Sequence, residues 1–197
     1  MKKWQHVNAD HQARPDQDGP ASQPNMEKLI LRQWQDSDLA PYSAMNADRE
    51  VMRYFPTLLT PAQSAASLER LRGGIAERGW GLWAVEVDGL FAGFTGLNVP
   101  SFSAHFTPCT EIGWRFRKEF WGRGLACRAA RVALKFGFTT LRLPEIVSFT
   151  ARTNLRSRKL MERLGFQHDA VGDFEHPAIL EGHPLRPHVL YRLPRAE

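Results

Sequence analysis

A chain of 197 residues, 43% hydrophobic and 24% charged, is long enough to bury one sizeable core and too short to favour two. No apolar run approaches the roughly 20 residues that a membrane-spanning helix needs, and Lys2-Lys3 leads into polar residues instead of an apolar signal core, so a cytoplasmic enzyme or binding module is expected. The formal charge of +5 suits an anionic partner, or solubility alone; with no dense Lys/Arg tract and no recognisable nucleic-acid motif, nucleic acid is not the expected partner.

Residues 1–25, with "HQARPDQDGPASQPN", have almost nothing to bury and read as a disordered tail, or as a segment preceding an alternative start at Met26. One domain, 26–197, is expected after it. Strand character begins at about Lys28 to Arg32, and Asp36 or Ser37 is placed to cap a short helix in "DSDLAPYSAMNAD". "TPAQSAASLERLRGGIAE" carries a strong helix start, Thr60 as cap and Pro61 at the first position, with Leu68, Leu71 and Ile75 on one face.

"GWGLWAVEV" and "LFAGFTGLNV" read as two strands joined at Asp88-Gly89, a dipeptide that favours a tight hairpin. Trp80 and Trp83 are hairpin packing residues on this reading, or one of them lines a pocket. After the polar loop "PSFSAHFTP", the strand "CTEIGWRFR" alternates Ile112, Trp114 and Phe116 on one face with Glu111, Gly113 and Arg115 on the other. Cys109 and Cys127 match no paired metal-ligand spacing and read as inert thiols; no metal site is expected.

"WGRGLACRAARVALKFGF" predicts a helix over about 122–139, whose alanine-rich face can lie close against a sheet. Gly122 and Gly124 remove Cβ atoms beside the first-turn amides, which have no intrahelical acceptors. With Arg123 and the helix dipole they form a cradle for a pyrophosphate, or else an ordinary tight turn. Cys127 stands where the dinucleotide fingerprint wants its third glycine, and the Walker A lysine is absent. "PEIVSFT" follows as a strand, "NLRSRKLMERL" as a helix closed by Gly165, "FQHDAVGDF" as a strand, "EHPAILEGHPLRP" as a proline-punctuated arm, and "HVLYRL" as the last strand. Seven strands and four helices in this order make an α/β (α+β) sandwich with a mixed sheet.

"TEIGWRFRKEFWGRGLACRAARVALKFGF" followed by "IVSFTARTNLRSRKLMERLGF" resembles the GCN5-related N-acetyltransferase superfamily, specifically its branch of ribosomal-protein N-terminal acetyltransferases. The resemblance runs from about Glu27 to Arg192. It implies a mostly antiparallel seven-stranded sheet, splayed at its central parallel strands, with acetyl-CoA as acetyl donor and no metal. It implies that the backbone of Trp114, Arg115 and Phe116 holds the acetyl carbonyl and pantetheine, and that Gly122, Arg123, Gly124, Leu125 and Ala126 cradle the pyrophosphate. Trp121 stands where the family often has Gln or Arg. Asn154 would bind the pantetheine arm or the thiol region, and Ser157 would cap the last helix or touch the cofactor.

The implied reaction is direct attack of a primary amine in a ternary complex, the acceptor being a protein N-terminus or a small amine. Glu111 is the first candidate base, with a structural salt bridge as its other reading. The tyrosine that often protonates the thiolate in this superfamily is missing from "LRSRKLMERL", which leaves Ser157 or solvent. The histidines of "DFEHP" and "GHPLRPHVLYRL" would be bases at the acceptor entrance or partners of nearby carboxylates. The alternative is a non-catalytic acyl-CoA-binding or regulatory module of the same fold, in either case a monomer or homodimer.

Overall fold

The computed structural model describes Val7–Asn8 and residues 27–196. One sheet runs in the order β1-β2-β3-β4-β5-β6-β8-β7, all antiparallel except β5 against β6. Its strands are β1 (Val7–Asn8), β2 (Leu29–Arg32), β3 (Leu82–Val87), β4 (Leu90–Asn98), β5 (Glu111–Phe116), β6 (Glu145–Ala151), β7 (Gln167–Glu175) and β8 (Pro187–Pro194). Seven of them are the strands expected from the sequence. The eighth, β1, falls in the segment assigned to a tail and pairs with Ile30 and Leu31 at the free edge of β2; the rest of that segment lies outside the described residues.

The helices are α1 (Leu39–Ala47), α2 (Pro61–Arg78), α3 (Leu125–Thr139) and α4 (Leu155–Arg163). Thr60 caps α2 as expected, its hydroxyl accepting from Gln63 N–H at 3.2 Å. The start of α1 differs from expectation. Asp36–Asp38 form a 3-10 turn, and Asp38, not Asp36 or Ser37, stands at the cap. Its carboxylate is drawn inward by Arg32, whose Nη1 and Nη2 donate at 2.7 and 2.8 Å, and also accepts Gln35 N–H at 2.9 Å. Arg32 reaches Glu86 at 2.7 Å as well, so one guanidinium locks β2, β3 and the entry to α1.

Alternation along β5 assigns the two faces. Trp83, Thr95 and Trp114 lie opposite one another across β3, β4 and β5 and share a face. On that face Trp83 meets Phe136 of α3 edge-on, with ring centroids 5.3 Å apart. A Cβ at Gly137 would stand 2.7 Å from Ile146 Cδ1 and 3.0 Å from Leu97 Cδ1, which explains why this face of α3 is built from small residues. On the other face Trp34, Tyr42, Phe91 and Phe94 cluster beneath α1, with Trp34 and Tyr42 centroids 5.0 Å apart. Glu111, Gly113 and Arg115 belong to this second face.

Candidate active site

β5 and β6 touch only at their beginnings. Glu111 is in register with Val147, Val147 N–H donates to Thr110 O at 2.9 Å, and Ser148 Oγ donates to Ile112 O at 3.0 Å. Past that point β5 stays with β4 as far as Phe116, while β6 stays with β8 as far as Ala151. The strands therefore part in the middle of the sheet. Since the Ile112 carbonyl is turned toward β6, the two-residue alternation turns the N–H and C=O of Trp114 the same way, into the gap where β6 no longer pairs. An extended chain carrying amides can pair there as a strand would.

The glycine loop closes one end of this gap. Helix α3 begins at Leu125, three residues later than the sequence suggests, because Gly122 and Gly124 are left-handed, with φ of 76° and 72°. Arg128 N–H to Gly124 O is the first helical bond. Among the described residues no backbone acceptor meets the amides of Gly122 through Cys127. Nothing stands within 4 Å of where either glycine's Cβ would be, so the loop backbone is open to close approach. Such an array at a helix N-terminus suits a pyrophosphate. Arg123 adds charge beside it, but its guanidinium is paired with Glu27.

Trp121 has a role that its place in the motif does not reveal. Its indole Nε1 donates to Phe116 O at 2.9 Å, which ties the loop to the end of β5, and the Arg156 guanidinium lies 4.5 Å from the centroid of its ring. Arg156 is in the first turn of α4, so this stacking joins the two helix starts that flank the gap. It stands inside the "TNLRS" block, two residues past Asn154, where a basic residue beside a phosphate site was the available signal.

Asn154 is the N-cap of α4: Oδ1 accepts Ser157 N–H at 3.2 Å, and Nδ2 donates to Thr150 Oγ1 at 3.0 Å. The capping role suggested for Ser157 therefore belongs to Asn154. The half-buried Ser157 hydroxyl has no partner among the described residues. Neither Tyr42 nor Tyr191 offers a free hydroxyl in place of the missing one: that of Tyr42 is bonded to Ser67, and that of Tyr191 to Glu162 and Arg158.

Glu111 is half-buried, and its Oε1 would lie 3.9 Å from a Cβ on Gly113. Desolvation pushes its carboxyl up to about 7 despite a hydrogen bond from Asn98. No basic side chain forms a salt bridge with it among the described residues, so the structural reading of Glu111 has no partner to rest on. The backbone of Arg115 is turned to β4, away from the gap, so the pantetheine contact expected of it is left to Trp114 and Phe116; its side chain, on the same face as Glu111, sends Nη1 to Asn46 Oδ1 at 2.7 Å and lies 3.9 Å over the Phe55 ring.

Across the gap, Phe102, Phe106, Phe149, Phe174, His176 and His188 pack together beside β6, with Phe102 and His176 centroids 4.7 Å apart. His188 is pushed down to about 4 by burial and is neutral near pH 7; its Nδ1 donates to Arg186 O at 3.0 Å. His168 is the histidine that meets a carboxylate, Asp173 at 2.8 Å. Trp83 is fully buried in the core, while Trp80 stacks under Arg78 at 5.4 Å. The Cys109 thiol is pushed up to about 11 by burial and then Glu111, which makes it inert. No cluster of three or more metal-ligating side chains occurs among the described residues, and no described helix is long and apolar enough to cross a membrane. Surface depressions beside Leu39 and Pro61, and beside Met45 and Lys118, lie off the gap and gather no catalytic pair.

Comparison with known proteins gives a consistent picture. Residues 28–167 match the family model "Acetyltransferase (GNAT) domain". FsC-acetyl coenzyme A-N(2)-transacetylase of Aspergillus fumigatus is 34% identical over 97 residues, 46% of this chain and 40% of that protein, so the chain spans less than half the length of that relative. Spermidine N(1)-acetyltransferase of Escherichia coli K12 is 27% identical over 160 residues, 81% of this chain and 82% of that one. Among solved structures, the RimL ribosomal L7/L12 alpha-N-protein acetyltransferase in complex with coenzyme A superposes with a TM-score of 0.67 at 14% identity, over 84% of this chain and 93% of that one.

Proposed function

The chain belongs to the GNAT acetyltransferase family, and from that premise we propose that it transfers an acetyl group from acetyl-CoA to a primary amine by direct attack in a ternary complex. The observation that carries this reading is the parted strand pair. The unpaired backbone of Trp114 opens into the gap, the free amides of Gly122–Cys127 lie at its end, and the Glu111 carboxyl stands beside it on β5.

Acetyl-CoA supplies the activated thioester. Trp114 N–H serves as the donor to the carbonyl oxygen that gains charge, with Trp114 and Phe116 aligning the pantetheine amides. Glu111 accepts the proton that the amine must lose as its C–N bond forms; a carboxyl near 7 is about half ionised at neutral pH, which suits a base. The Ser157 hydroxyl is the side chain best placed in sequence to supply a proton as the C–S bond breaks, with solvent as the other source. Asn154 positions Ser157 through the cap. Gly122, Arg123, Gly124, Leu125 and Ala126 hold the pyrophosphate, and Arg156 flanks it.

A second reading, an acyl-CoA-binding module without catalysis, is favoured by one observation, the absence of a free tyrosine beside α4. Calorimetry with acetyl-CoA and a thiol-release screen over amines, with acetylated product confirmed by mass, test both readings. Binding without product supports the module; absence of binding to folded protein overturns both.

A further inference from the structure

Arg115 is an odd residue for the middle strand of a sheet. Three other arginines that fold back on the protein have carboxylate partners: Arg32 has Asp38 and Glu86, Arg72 has Asp36, and Arg192 has Asp169 and Glu145. Arg115 has none among the described residues. Its Nη1 bonds the neutral amide of Asn46, its Nε is buried without an acceptor, and its plane is packed 3.9 Å from Phe55 and 5.3 Å from Phe94. Burial lowers its proton affinity, but at about 10 it remains a cation at pH 7.

A largely desolvated cation without a counter-ion is costly to keep, and a strand residue whose only task was packing would be better served by an apolar side chain. Aromatic rings on the guanidinium leave its charge uncompensated while fixing its orientation. Gly113 lies between Arg115 and Glu111 on the same face. A Cβ there would make only ordinary contacts, with Glu111 Oε1 and Leu82 Cδ2 at 3.9 Å each, so the glycine keeps the surface between the two side chains low. The strand sets the Cα atoms of Glu111 and Arg115 about 13 Å apart, and two long side chains over that span leave room for a compact molecule.

We infer that the acetyl acceptor is an amine that also carries an anionic oxygen group, a carboxylate or a phosphoryl group, held by Arg115 while Glu111 faces the amine. This rests on the proposed acetyl transfer and narrows its substrate class. Asn46 and Phe55 are the positioning residues for the guanidinium. The same arrangement disfavours polyamines, whose further cations would meet Arg115 with like charge.

The test compares kcat/KM for matched acceptors: glutamate against its diamide, O-phosphoethanolamine against ethanolamine, a C-terminally amidated Ser-Asp-Gly peptide against amidated Ser-Asn-Gly, and spermidine. Wild type is expected to favour at least one anionic member over its neutral partner by about 30-fold or more, the size of a lost buried charge contact. Which pair shows the preference distinguishes carboxylate from phosphoryl and free amine from peptide. Arg115→Met should abolish that preference with the acetyl-CoA affinity unchanged in calorimetry, and Arg115→Lys should restore part of it. Equal rates for anionic and neutral partners, a preference for spermidine, or an equal loss on all acceptors in Arg115→Met would overturn the inference. So would the failure of every anionic amine to bind the coenzyme A complex at about 10 mM. Each of these outcomes leaves acetyl-CoA binding standing, whereas loss of that binding in wild type strikes the proposed function instead.

Discussion

Replacing Glu111 by Gln removes a charge while keeping the shape of the side chain, and it should act on rate and stability in opposite directions. The folded chain raises this carboxyl from 4.5 to about 7, chiefly by desolvation. At about 1.4 kcal/mol for each tenfold change in proton affinity, that is about 3 kcal/mol, and the partial exposure of the side chain reduces the effect on stability to about 1–2 kcal/mol. The fold binds this proton more tightly than the unfolded chain does. Stability from this group is therefore greatest below pH 4.5 and is lost as pH rises through 7. Glu111→Gln has no such loss, so relative to wild type it should gain about 1–2 kcal/mol between pH 5 and pH 8, or a few degrees in Tm for a domain of this size. Its kcat should fall by about 10²–10⁴-fold and lack the rise with an apparent pKa near 7 that is expected of wild type. Thermal melts at the two pH values and a kcat–pH profile read both effects. A wild-type rate and profile in Glu111→Gln would refute its role as base, and a variant less stable at pH 8 than wild type would refute the desolvation argument.

Three further substitutions probe the frame around the gap. Gly124→Val forces a β-branched side chain into a backbone with φ of 72°, which costs about 1–2 kcal/mol and reorients the loop amides; acetyl-CoA affinity in calorimetry should drop by tenfold or more, and an unchanged Kd would count against the cradle. Glu27→Gln frees Arg123 from an ion pair at the surface, so acetyl-CoA should bind about two- to fivefold more tightly while urea-unfolding stability stays within about 0.5 kcal/mol; weaker binding would mean that Glu27 orients Arg123 for the phosphates. Asp38→Ala leaves Arg32, which is 6% exposed, with Glu86 alone, and should cost about 3 kcal/mol in denaturant unfolding; a loss under 1 kcal/mol would show that water or Glu86 compensates it.

Much of this molecule was legible in the linear chain because the signals are local. Alternation in "EIGWRF" sorted β5 into two faces, Asp88-Gly89 made its hairpin, Thr60-Pro61 began α2, and the two glycines before "LACRAARVALKFGF" announced free amides. Each depends on residues within one or two turns of each other, where backbone sterics and periodicity decide. Asp38, not Asp36 or Ser37, became the cap because Arg32 and the buried cluster around it outweighed local preference. The first turn of α3 likewise yielded to left-handed glycines.

What only the tertiary structure decided concerns charge and water. Asn98 beside Glu111, Asn46 and Phe55 around Arg115, Glu27 on Arg123, and Arg156 over Trp121 bring together residues 13 to 96 positions apart, which composition cannot pair. Desolvation depends on everything packed around a group, so neither the raised carboxyl of Glu111 nor the unpaired guanidinium of Arg115 can be read from its neighbours in sequence. The chain by itself determined where a loop of unpaired amides opens a helix. Its folding decided which carboxyl is raised by burial, and which cation was left without a counter-ion beside it.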